Sequence, residues 1–122
     1  MKSCLIADAD APKYPTVQGV IKKLGFQVVI ATTYSRGIDF SEASGFDVWI
    51  VGRKLENREG VDLLDNLPAK GSPDRPKIIY VTDSRNSSAT TRAGNIADDV
   101  IVTEFLGGAE IAAAFKRLGL TE

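Results

Sequence analysis

The side chains best suited to chemistry sit just after apolar runs. Asp8 and Asp10 follow the first such run, and Arg53, Lys54 and Arg58 follow the third. A guanidinium facing carboxylates can form a charge-assisted pair, and three cations on one loop make a candidate anion site. No phosphate cradle accompanies them: neither GxxxxGK[ST] nor GxGxxG follows any apolar run. The chain contains no histidine, which excludes Ser-His-Asp and Cys-His catalysis, His-ligated zinc and phosphohistidine transfer. Its single cysteine, Cys4, permits no internal disulfide and reads as a small buried hydrophobe.

The elements that must position these residues are legible as a pattern. Five short runs, Cys4-Leu5-Ile6-Ala7, Val28-Val29-Ile30-Ala31, Val48-Trp49-Ile50-Val51, Ile78-Ile79-Tyr80-Val81 and Val100-Ile101-Val102, are continuously apolar and mostly β-branched. Continuity rather than alternation predicts strands covered on both faces, hence a parallel sheet with helical crossovers. Val17, Val20, Ile21 and Leu24 form one helical face that Gly25 ends, and Ile111, Ala112, Phe115 and Leu118 form another before Gly119. Val61, Leu64 and Leu67 repeat before Pro68. The stretch from Tyr34 to Ala43 is weaker, with Gly37 inside it, and Ser84 to Ile96 is polar enough to predict a mobile or irregular helix. Strand and helix alternate five times, so the fold class is α/β, a doubly wound parallel sheet. The carboxyl edge of such a sheet, where Asp8, Asp10 and Arg53 fall, is where ligands bind.

With 122 residues the chain is read as a single domain, 1–122. Apolar residues make up 43% and charged residues 25%, ordinary values for a globular protein. Fifteen basic against 16 acidic side chains leave a formal charge of −1, which argues against a nucleic-acid or anionic-membrane surface. No apolar run reaches the length of a bilayer span and no leader pattern precedes Cys4, so a cytoplasmic location is expected. Trp49 reads as core, and Lys22-Lys23 and Asp98-Asp99 as solvated faces.

From about Lys2 to Leu118 the chain resembles the receiver (CheY-like) domains of two-component response regulators. The resemblance rests on Phe46-Asp47-Val48-Trp49-Ile50-Val51-Gly52 with Gly60 and Val61-Asp62-Leu63-Leu64 following. It rests also on Ile79-Tyr80-Val81-Thr82-Asp83 and on Ala97-Asp98-Asp99-Val100-Ile101-Val102-Thr103-Glu104-Phe105. It implies a flavodoxin-like (βα)5 sheet of strand order 2-1-3-4-5. It also implies five chemical parts: an acidic pair holding Mg²⁺, a nucleophilic aspartate ending the third strand, a hydroxyl ending the fourth, a lysine after the fifth, and a mobile aromatic within the fifth.

Matched position by position, the acidic pair falls on Asp8 and Ala9, with Asp10 next, and the acceptor position is Gly52. Thr82 keeps the hydroxyl, but Thr103 stands for the lysine, Glu104 for the proline after it, and Val100 for the aromatic. Without a nucleophile the phosphotransfer has no first step. The resemblance therefore implies a non-catalytic pseudo-receiver with no metal site and Mg²⁺ binding lost or weak. It would work through protein partners in bacterial signalling, with a homodimer as an option. Its docking face, by analogy, would centre on Val100, Val102, Phe105, Ile111 and Phe115, some of which must be core. Two alternatives stay open: anion sensing by the Arg53/Lys54/Arg58 loop, and phosphorylation at a displaced aspartate such as Asp10 or Asp83. A bridge from Arg53 to Asp8 or Asp10 is expected to fill the old site, against the plainer reading that Arg53 points into water.

Overall fold

The computed structural model describes residues 2–9, 15–42, 46–56, 58–65, 75–82, 88–102 and 107–121, without the side chains of residues 41, 42 and 102. The elements run β1 (Lys2–Ala7), α1 (Pro15–Lys23), β2 (Phe26–Ala31), α2 (Tyr34–Glu42), β3 (Val48–Gly52), α3 (Val61–Leu64), β4 (Lys77–Thr82), α4 (Ser88–Gly94), β5 (Asp99–Val102) and α5 (Gly108–Arg117). The sheet is wholly parallel with strand order β2-β1-β3-β4-β5. Among the described residues, no helix is long and apolar enough to cross a membrane.

Alternate side chains of each strand feed two separate cores. Cys4, Ile6, Val48, Ile50, Ile79, Val81 and Ile101 join α1 and α5 on one face. Leu5, Ala7, Trp49, Val51, Ile78 and Tyr80 join α3 and α4 on the other, with α2 packed against them. That division is why the runs are continuously apolar: each residue has a helix to meet. Trp49 is buried, as expected. So is Cys4, and burial pushes its thiol well above the ordinary value, which keeps it inert. Gly25 ends α1 with a left-handed φ of 94°.

Two readings are corrected by the packing. Ile111 and Phe115 are fully buried in the core that α1 and α5 form with the sheet, Phe115 edge-on to Phe26 of β2, so they are core and leave the docking face. Asp98 is no solvated charge. Its Oδ2 accepts the Ile78 amide at 2.7 Å while its own amide donates to the Ile78 carbonyl at 2.8 Å. Asp47 does the same one strand pair away, accepting the Ser3 amide at 2.8 Å and donating to the Ser3 carbonyl at 2.9 Å. Each aspartate satisfies the amide of a neighbouring strand's entry, and so fixes register at the amino edge of the sheet. Asp99 is likewise engaged, with Arg117 at 2.5 Å.

α4 is held largely by polar contacts. Its buried residues are Ala89, Thr90 and Ala93, which bring little apolar area. Arg92 pairs with Asp62 at 3.1 Å and with Asp65, and the nearly buried Arg75 donates to the Ile96 carbonyl just past the helix. Gly37, read above as a weakness of α2, lies where an added Cβ would meet Leu63 at 2.8 Å, so its size lets α2 sit close on α3.

The two capping aspartates are not equivalent. Asp98 also lies 3.8 Å from Arg75, whose side chain is only 3% exposed, whereas among the described residues no cation pairs with Asp47. Asp98→Ala is expected to cost about 3 kcal/mol in urea unfolding and Asp47→Ala about 1–2 kcal/mol.

Candidate functional site

The register of β1 on β3 pairs Ala7 with Val51, so the next residues, Asp8 and Gly52, face each other at the carboxyl edge. Both follow the parity of Cys4, Ile6, Val48 and Ile50 and lie on the α1/α5 side of the sheet. Asp8 is seated directly on Gly52. A Cβ built on Gly52 would stand 2.9 Å from the Asp8 Cβ and would collide outright with its Cγ and Oδ2. The space an acceptor side chain would fill is held by a carboxylate from the neighbouring strand.

The loop leaving β3 is folded back over the same point. Lys54 and Glu59 form an antiparallel bridge, and the Leu55 amide donates to the Arg58 carbonyl at 2.8 Å. Leu55 is buried beneath this turn. The loop is also stitched to its neighbours by backbone. The Ala9 amide donates to the Lys54 carbonyl at 2.9 Å, and the Glu56 amide donates to the Thr32 carbonyl at 2.9 Å. Gly60 closes the turn with its amide on the Arg53 carbonyl at 2.9 Å, so close to β3 that an added Cβ would run into the Gly52 carbonyl oxygen. None of these bonds involves a side chain, so none was readable from residue types.

Asp8, Ala9, Gly52, Arg53 and Lys54 are thus brought together. Arg58 is not. Its guanidinium stacks 4.0 Å over the Tyr34 ring and pairs with Asp62 at 3.4 Å, toward α2 and α3. Lys54 is exposed and Arg53 half-buried, so the trio does not converge on one anion. Thr82 ends β4, fully buried, on the α4 side of the sheet. Its hydroxyl lies 3.0 Å from that of Thr90 in α4. Val100 is half-buried in β5 against the α2–α4 core. Asp10, Asp83, Thr103, Glu104 and Phe105, and the side chain of Val102, lie outside the described residues.

A magnesium ion takes a near-octahedral shell of oxygens, usually with one or two carboxylates among them. The described residues do not fit that shell. Asp8 brings the one described carboxylate at the strand exits, and it is lodged on Gly52; Ala9 brings no donor side chain, and the Lys54 carbonyl already accepts the Ala9 amide. Among the described residues, no group of three or more His, Cys, Asp or Glu side chains is placed to hold a metal ion.

No protein-family model matches the chain, and no curated protein matches it. Solved structures do. A CheY-like response-regulator receiver domain from Methanospirillum hungatei superposes with a TM-score of 0.79 at 24% identity, over 97% of this chain and 93% of its own. A two-component response regulator from Clostridium difficile gives 0.79 at 18% identity, over 97% and 95%. The receiver domain of a Pseudomonas aeruginosa sensor histidine kinase, which holds a magnesium ion in its active-site cleft, gives 0.77 at 18% identity, over 95% of each chain. The fold is that of CheY-like receiver domains of two-component signalling.

Gly60 has φ −61° and ψ −33°, a conformation open to any residue, so its requirement is purely steric. Gly60→Ala is expected to cost at least about 2 kcal/mol in chemical denaturation, because a backbone carbonyl cannot rotate out of the way as a side chain can.

Proposed function

We propose that this chain is a non-catalytic pseudo-receiver that acts in the cytoplasm, in bacterial signal transduction, by binding a protein partner independently of phosphorylation. The observation that carries the reading is Gly52 at the end of β3, with the Asp8 carboxylate packed on its Cα. A receiver's phosphoryl chemistry needs a nucleophile there and a cation beside it. Here the position has no side chain and the adjoining carboxylate is committed. Mg²⁺ binding is accordingly lost or weak.

The partner, or a second copy of the chain, would dock on the face of α4, β5 and α5 around Val100, Val102 and Phe105. Anion sensing by Arg53, Lys54 and Arg58 gains no support, since Arg58 is spent on Tyr34 and Asp62. Incubation with acetyl phosphate and Mg²⁺, followed by intact-mass measurement, is expected to leave the mass unchanged. A phosphoryl adduct would refute phosphorylation independence, and locating it on an aspartate would identify a displaced acceptor.

A further inference from the structure

We infer that residues 8 and 52 are mutually exclusive occupants of the crevice: Asp8 keeps its seat only because residue 52 has no side chain. This deepens the reading that the crevice takes no phosphoryl group, and rests on it. Three atoms of Asp8 bear on the space where a Gly52 Cβ would stand. Rotation about χ1 would carry Cγ and Oδ2 away, but it leaves the Asp8 Cβ where it is. That Cβ would remain 2.9 Å from the new one, a separation that only a shift of backbone relieves.

The backbone on both sides is tied. Asp8 donates its amide to the Ala31 carbonyl at 3.0 Å, and Ala9 donates to the Lys54 carbonyl at 2.9 Å. The β3 side is held in turn by Gly60 on Arg53 and by Leu55 buried under the loop. Any side chain at 52 must therefore loosen the Ala9–Lys54 bond that joins the two strand exits. Returning an aspartate to position 52 would not rebuild a receiver site; it would unseat Asp8 and open the loop. Position 52 is a size switch for the whole crevice.

The test turns on a sign. Within an unobstructed strand, replacing glycine by alanine is stabilising. Here Gly52→Ala is expected to lower Tm by about 4–8 °C and to shift the Ala9 amide resonance. In an Asp8→Gly background, which removes the Asp8 Cβ as well, the same Gly52→Ala change is expected to leave Tm unchanged or raise it. An equal drop in both backgrounds, or a rise in the otherwise native chain, would overturn the exclusion. Should Gly52→Ala alone fail to fold, cooperative melting of Asp8→Gly/Gly52→Ala would support the inference and its failure to fold would refute it. These readouts are independent of acetyl-phosphate labelling. A labelled native chain sinks phosphorylation independence alone, and additive Tm changes sink the exclusion alone.

Discussion

Parallel pairing of β1 with β3 sets what the carboxyl edge can hold. With Ala7 opposite Val51, the first residues beyond the pair lie face to face on the same side of the sheet. The two backbones approach so closely there that a Cβ on Gly52 would stand 2.9 Å from the Asp8 Cβ, so that pair, unlike Ile6 and Ile50 before it, cannot carry two side chains. Gly52 resolves the competition in favour of Asp8. The loop then closes over the pair, with Gly60 pressed on the Gly52 carbonyl and the Lys54 carbonyl taking the Ala9 amide. Main-chain hydrogen bonds join the two strand exits at this point.

Polar contacts tie that crevice region to the rest of the molecule. Arg58 leaves the loop to stack on Tyr34 and to meet Asp62, and Asp62 also receives Arg92 from α4. These exposed pairs contribute little individually, but α4 has only Ala89, Thr90 and Ala93 to bury. The Thr82–Thr90 hydroxyl contact, buried between β4 and α4, is the firmer tie because an unmatched hydroxyl there would be costly. Thr82 thus anchors a helix, a structural task for the one hydroxyl that matched the receiver pattern.

Much of the architecture was legible because continuous β-branched runs have few physical outlets. Strands covered on both faces must pair in parallel, and the helical stripes at Val17–Leu24 and Ile111–Leu118 could only cover them. What escaped the sequence was what depends on three-dimensional neighbours. Asp47 and Asp98 cap strands whose pairing is not local, so Asp98 looked like a surface charge. Arg58 looked like part of an anion site because nothing in its spacing pointed to Tyr34. Ile111 and Phe115 could be placed on a helix face but not assigned to core or docking surface until α5 was laid beside α1 on the sheet. The seating of Asp8 on Gly52 follows from register, which a single strand does not disclose.

The proposed function requires a crevice that takes neither metal nor phosphoryl group. The most direct measurement is an amide-resolved NMR titration of the intact chain with millimolar Mg²⁺, then with Mg²⁺ and beryllofluoride. No saturable shifts are expected at Asp8, Ala9, Gly52, Lys54 or Thr82. Saturable shifts centred on Asp8, Gly52 and Thr82 would show a crevice that still opens to a phosphoryl mimic, and would contradict that function.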